Sequence, residues 1–326
     1  MSATLRIGTS GWNYPSGKGT WNGIFYPKPR PKGFDELTFY AEHFNTVEVN
    51  STFYGQPRPD VCRSWAEKTP HDFEFSLKLY QKFTHPRLYQ ERVAQQLPAD
   101  VRSADAVAAL SRPNAADLDE FRRGIDPLAS AGKLGPLLAQ FPASFKNDAA
   151  SVEYLAHLLE AFKGYSVAVE LRHRSWSDRI VDTLTLLNRF DAALVQIDEP
   201  KFKLSIRQNL LPNIKSFYYM RLHGRNAAKW WTHDKAEDRY DYLYSGEELE
   251  EFTEAASAVR ELVKKTYLYT NNHYSAKSVA NAAMIKQQLG EDVEGEYSEA
   301  FRERYPAVAP TRREPESRVT LSRKPS

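Results

Sequence analysis

A set of charged and amide residues recurs at the ends of short β-like runs: Glu48 and Asn50, Lys78, Gln140, Glu170 and Arg172, Asp198, Arg221 and His223, and Asn271–His273. Two carboxylates in one pocket can be driven apart in pKa by burial and neighbouring cations, so that one serves as base and the other as acid. Glu170 and Glu48, with His223, are the candidate catalytic groups on that reasoning. Lys78, Arg172 and Arg221 could hold a phosphate or carboxylate, with arginine offering paired hydrogen bonds. The competing reading is an ion-pair network in which the arginines neutralise the carboxylates, although apolar packing would close a barrel at a smaller desolvation cost. Imidazole with carboxylate also suits Zn, Mn or Mg, which makes a divalent ion on His223, His273, Glu48, Glu170 or Asp198 an alternative. No His-Glu-x-x-His or His-x-His pair exists, and Lys78 with two arginines would repel a cation, so no metal ligand and no cofactor is assigned. Gly17, Gly19 and Gly23 have neither P-loop nor dinucleotide spacing.

The elements that must position these groups are eight β-like runs: Leu5–Thr9, Thr46–Asn50, Phe73–Leu79, Leu137–Phe141, Ser166–Leu171, Ala192–Ile197, Phe217–His223 and Thr266–Asn271. Helical patterns lie between them, at Asp35–Phe44, Arg58–Lys68, Ala115–Ala131, Ala149–Phe162, Ser177–Arg189, Gly246–Lys265 and Lys277–Gly290. Such alternation signals parallel βα units, and eight of them suggest a single TIM-type (β/α)8 barrel over 1–305, an α/β fold, with an open doubly wound sheet the alternative that counting leaves. Side chains alternate along a strand. Parity therefore turns Glu48, Asn50, Ser76, Lys78, Gln140, Glu170, Arg172, Gln196, Asp198, Arg221 and His223 inward. Three connections are long: 10–34, 80–114 (an insertion) and 224–245. All follow strands, so in a barrel they crowd the C-terminal face, where such folds carry their sites. An extra strand at Lys203–Arg207 is the open point of the count. Trp12, Tyr14, Trp176, Trp230 and Trp231 could form an aromatic lid or simply pack the loops. His43, His71 and His157 fall on helices, and His85 is unassigned.

The chain has 326 residues with 44 Lys+Arg and 42 Asp+Glu. Residues 306–326 hold five basic and two acidic groups, read as a disordered basic tail, and leave the body at −1. A general polyanion surface is therefore not favoured, nucleic acid is the weaker partner, and any anion site is local. The single Cys62 leaves no internal disulfide and fits a cytoplasmic location, as does the lack of a signal-like or membrane-length apolar run.

Gly8-Thr9-Ser10-Gly11-Trp12-Asn13-Tyr14, Val47-Glu48-Val49-Asn50-Ser51-Thr52-Phe53-Tyr54, Thr84-His85, Gly135-Pro136-Leu137-Leu138-Ala139-Gln140-Phe141-Pro142, Val169-Glu170-Leu171-Arg172-His173-Arg174-Ser175-Trp176, Arg221-Leu222-His223-Gly224 and Asn271-Asn272-His273 occur in this order. Together they resemble the YecE-like family (domain of unknown function 72) from about residue 5 to 290. The resemblance implies a TIM-type barrel without a settled activity, similar in fold to endonuclease-IV-like and xylose-isomerase-like enzymes. It also implies motif positions at Glu48, Asn50, Tyr54, Lys78, Gln140, Glu170, Arg172, Trp176, Arg221, His223, Asn272 and His273. The 80–114 insertion and the Trp-rich 224–245 loop are less typical of it.

The expectation is an enzyme acting on a small anionic substrate, phosphorylated or nucleotide-like. Glu170, Glu48 and His223 would move protons, and Lys78, Arg172, Arg221, Asn50, Tyr54, Gln140, Trp176, Asn272, His273 and Trp12 would bind substrate. Glu170→Gln should then spare stability. The alternatives are a non-catalytic anion or nucleic-acid binding protein, and a metal-dependent phosphoesterase or isomerase. Composition does not reach the oligomeric state.

Overall fold

The strand–helix alternation resolves into a parallel barrel in the computed structural model, which describes residues 3–208, 211–230 and 235–308. Its strands are β1 (Thr4–Ser10), β2 (Thr46–Val49), β3 (Glu74–Lys78), β4 (Leu134–Gln140), β5 (Val167–Glu170), β6 (Ala193–Leu194), β7 (Gln196–Asp198), β8 (Phe217–Leu222) and β9 (Lys265–Thr270). They pair in the order β6-β5-β4-β3-β2-β1-β9-β8-β7, all parallel where neighbours meet. Only Val195 separates β6 from β7, and its N–H donates to the Val169 carbonyl at 3.0 Å. The two pieces are therefore halves of one stave, which pairs with β5 below and β8 above. The ring has eight staves, matching the eight runs read from the sequence.

Register decides which side chains enter the barrel. Residues level with one another in parallel strands share a face. Glu48 is level with Ser10 and Ser76, Gln140 with Glu170, and Arg221 with Tyr269 and Ile197. Ile197 therefore shares the inner face of Arg221, and Ala193 that of Ala168. Gln196 and Asp198 point outward, which corrects the inward placement expected for both. The next inward position on that stave is Glu199.

The barrel interior is polar and aromatic where branched apolar layers are the norm. At its N-terminal end, Glu74 accepts from Arg6 Nη2 (2.9 Å), Lys265 Nζ (2.7 Å) and Tyr267 Oη (2.6 Å). One layer up, the Tyr269 hydroxyl meets Thr46 Oγ1 at 2.7 Å and Ser76 Oγ at 2.9 Å. Every buried polar group in these layers that meets a partner avoids the cost of burying it bare. Gly8 is required at its position, because a Cβ there would lie 2.1 Å from the Thr46 carbonyl oxygen.

The outer helices include Pro59–Glu67, Ala115–Ser130, Ala149–Ala161, Ile180–Arg189, Gly246–Val259 and Lys277–Gln288. Side-chain caps start several of them: Asn114, Asp148 and Ser245 each accept from a backbone N–H three residues on. Residues 80–114 form three helices, Gln81–Thr84, Pro86–Gln96 and Ala104–Ser111. The segment after β7 contains no strand among its described residues. It lies along the β5 exit through Arg174 N–H to Leu204 O (2.8 Å) and Ile206 N–H to Arg172 O (2.9 Å). The first long connection is packed by Trp21, Phe25 and Tyr26, all fully buried. No described helix is long and apolar enough to cross a membrane. Residues 309–326, most of the tail read from the sequence, and Trp231 lie outside the described residues.

Candidate functional site

The strand ends bring Glu48, Gln140, Glu170, Arg172, Arg221, His223 and Lys78 together at the C-terminal mouth. Arg221 is the centre of this group. It sits in a fully buried position and grips Glu48 with two parallel hydrogen bonds, Nε to Oε2 at 2.8 Å and Nη2 to Oε1 at 2.7 Å. Its Nη1 donates to Glu170 Oε2. Glu48 accepts further bonds from Ser10 Oγ and Tyr219 Oη, each at 2.7 Å. Glu170 accepts from Gln140 Nε2 (2.7 Å) and Arg172 Nε (2.8 Å). Burial alone would raise the Glu170 carboxyl, but Arg221 and then Arg172 hold it well below the usual carboxylate range. Neither carboxylate is among the lining residues of the two cavities that open from the mouth. Glu48 thus has all four acceptor positions filled, and Glu170 accepts three bonds and is the counter-ion of both arginines, so the two carboxylates position Arg221 and Arg172.

His223 is equally enclosed. Nδ1 lies 2.9 Å from the side-chain amide of Asn271, and Nε2 faces Arg221 Nη1 at 3.2 Å and Arg172 Nη2 at 3.4 Å. Desolvation, reinforced by Arg221, brings its pKa down to about 4, so the ring is neutral near pH 7 and Nε2 accepts. Burial also lowers His273 to about 4 and His85 to about 3. An unfolded chain protonates these three rings near their usual 6.5, whereas the folded one stays neutral until far lower pH. Stability should therefore fall as pH drops from about 6.5 to about 4, ahead of the carboxylate transitions. Denaturant titrations at about pH 7 and about pH 5 check this; equal midpoints would refute it.

Two cavities open from the mouth, of about 640 and 220 Å³. Lys78, Gln140 and Tyr240 line both. The smaller also touches Tyr14, Asn50, Tyr54, Arg221, Asn271 and His273, and Tyr14 stacks on His273 with centroids 4.2 Å apart. The larger is walled by cations Lys78, Arg172, Lys203 and Arg239, by Phe53, Phe141, Phe202 and Trp230, and by a carboxylate, Glu199. Glu199 Oε2 lies 3.3 Å from Arg172 Nη1 without the alignment of a hydrogen bond. Burial, opposed by Arg172, raises its pKa.

Three expected binding residues are absent from both cavities. Trp176 is fully buried, stacks on Phe145 and donates its indole N–H to the Phe145 carbonyl at 2.8 Å. Trp12 packs edge-on against Trp65. Asn272 donates to Asn281 Oδ1 and Tyr242 O, each at 2.7 Å, and so braces the 224–245 loop from behind. Its neighbour Asn271 takes the inward place. Asp198 is bound by Arg225 Nε (2.8 Å) and Tyr244 Oη (2.7 Å) outside the barrel. Sequence reasoning missed Glu199, Tyr240, Lys203 and Arg239. Glu199 lies two residues past Ile197 and follows from parity only once the register turns Ile197 inward, and no pattern marks the others.

The sequence pattern of the family described as a protein of unknown function, DUF72, matches residues 6–305. The chain belongs to the DUF72 family. YunF of Bacillus subtilis (strain 168) is 26% identical over 299 residues, covering 89% of this chain and 96% of YunF. YecE of Escherichia coli (strain K12) is 31% identical over 149 residues, 45% of either chain. The crystal structure of a DUF72 protein from Thermotoga maritima superposes with a TM-score of 0.70 at 32% identity, covering 88% of this chain and all of that one. A DUF72 structure from Enterococcus faecalis, 22% identical, shares the fold with a TM-score of 0.71 over 91% of this chain and all of that one. Among the described residues of this DUF72 chain, no three His, Cys, Asp or Glu side chains converge as a metal site.

Proposed function

We propose that the protein is an enzyme that binds a small anionic substrate, phosphorylated or nucleotide-like, in the larger cavity and moves protons there. The observation that carries this is the wall itself: four cations face the cavity against the single carboxylate of Glu199. The body charge is close to zero, so the excess is local. Arg172, Lys203 and Arg239 would hold the anionic group through charge-assisted hydrogen bonds, and Phe53, Phe141 and Trp230 would cover the rest. Glu199, raised by burial, and Lys78, lowered by it, are an acid and a base whose environments bring their pKa values towards each other and towards neutrality.

Calorimetric titration with inorganic phosphate and with ribose 5-phosphate tests the reading. Binding should be saturable and weaken with salt, and Lys203→Ala/Arg239→Ala should lower affinity by about tenfold, near 1.4 kcal/mol, without shifting the melting temperature. No phosphate binding, or an unaffected double variant, would sink it. A steep salt dependence with single-stranded oligonucleotides and none with phosphate would favour the nucleic-acid alternative instead.

A further inference from the structure

The three cations at the centre of the mouth, Lys78, Arg172 and Arg221, are not equivalent. Arg172 and Arg221 are paired with carboxylates on two sides, whereas Lys78 has no carboxylate within ion-pair distance among the described residues. Other lysines of this chain that are withdrawn from solvent take the usual course: Lys82 pairs with Asp117 at 2.8 Å, and Lys133 donates to two backbone carbonyls. Lys78 Nζ instead lies 4.0 Å from the centre of the Phe53 ring and donates to a neutral amide oxygen, that of Gln140. That amide is itself fixed by donating to Glu170, so the amine has one immobile partner and an open side. Lys78 lines both cavities of the mouth. Placing a lysine beside two guanidinium groups with no ion-paired carboxylate of its own costs stability.

We propose that Lys78 is a nucleophile that forms an imine with substrate, and that the substrate is a carbonyl compound carrying an anionic group. This rests on the anionic-substrate reading of the cavity and names its chemistry. The neutral amine adds its lone pair to the carbonyl carbon, and the amine proton moves to the oxygen to give a carbinolamine. Glu199, on the wall of the same cavity, supplies the proton with which the hydroxyl leaves as water, and the nitrogen lone pair closes the C=N bond. No oxidant, metal or cofactor enters the balance. Desolvation and then the Arg221 charge bring the Lys78 amine from 10.5 to about 7, so a large fraction carries its lone pair at neutral pH. A lysine next to another cation in a desolvated pocket is activated in this way. The surrounding guanidinium groups would both lower the amine and attract the substrate's anionic end. The resulting cationic imine withdraws electrons from the adjacent carbon, which suits bond making or breaking α to a carbonyl.

The test is reductive trapping with sodium cyanoborohydride, using dihydroxyacetone phosphate, pyruvate and uncharged dihydroxyacetone as probes, read by peptide mass. The expected result is a single adduct on Lys78, formed at least about tenfold faster than on any other lysine. Its rate should rise through about pH 7, fall with added inorganic phosphate, and exceed that of dihydroxyacetone for both charged probes; Lys78→Arg should remove it. Labelling scattered over surface lysines, with phosphate binding intact, overturns the imine and leaves the anion site standing. Selective labelling of Lys78 at equal rates by charged and uncharged probes, unaffected by phosphate, keeps the nucleophile and overturns the anionic substrate.

Discussion

Lys78→Met should raise stability at pH 7 by as much as about 4 kcal/mol while abolishing turnover and trapping. The sign follows from the lowered amine. An unfolded lysine holds its proton up to its ordinary pKa of 10.5, and the folded one only to about 7. Between these values the unfolded state binds more protons, so the cost is complete below about pH 7 and gone above about 10.5. Methionine removes the ionisable group and keeps the stem over Phe53. The gain should therefore be nearly complete at about pH 7 and mostly gone at about pH 10. Urea denaturation of the two proteins at both values measures it. A variant less stable at pH 7 would mean that the amine is held for structural reasons, and its role as a functional group carried at a cost would fall.

Glu170→Gln should lose about 4 kcal/mol of stability, the opposite of what the sequence alone suggests. Its carboxylate is fully buried and neutralises Arg221 on one oxygen and Arg172 on the other. An amide leaves two guanidinium groups undercompensated and places donors against donors. Glu199→Gln is the contrasting variant. Glu199 has no aligned hydrogen bond at Oε2 and its carboxyl is already raised by burial, so its loss should change stability by less than about 1 kcal/mol while blocking proton transfer. Chemical denaturation of both variants settles the division between supporting and reacting carboxylates. Equal stability of Glu170→Gln and the parent chain would return Glu170 to the catalytic set.

The cause of that reversal lies in what a strand pattern can carry. Period-two alternation correctly put Glu48, Lys78, Gln140, Glu170, Arg221 and His223 on the inner face, because a parallel strand has only two faces and the apolar one must meet the helices. Alternation says nothing about height or partner. Arg221 reaches both Glu48 and Glu170 only because β2, β5 and β8 curve around a closed ring, and this converts two candidate bases into its counter-ions.

The sixth stave shows the other limit. Its inner residues Ala193, Val195 and Ile197 are small or apolar and its outer residues Gln196 and Asp198 are polar, so polarity alone chose the wrong face. Pairing with β5 and β8 fixes the phase, and that information sits in the neighbours' register. Trp176 and Trp12 pack against Phe145 and Trp65, since an aromatic side chain packs a loop as readily as it meets a ligand.

What the sequence determined by itself is eight strand runs in parallel βα units, long connections after three of them, and charged residues at their ends, because these follow from periodicity and composition within each segment. What the tertiary structure decided is the division of labour within that mouth. Which carboxylates are spent on arginines and which lysine is left without a paired carboxylate depend on contacts between residues far apart in the chain, such as Glu48 and Arg221, 173 positions apart. Contacts of that separation are set by ring closure, and no local pattern encodes them.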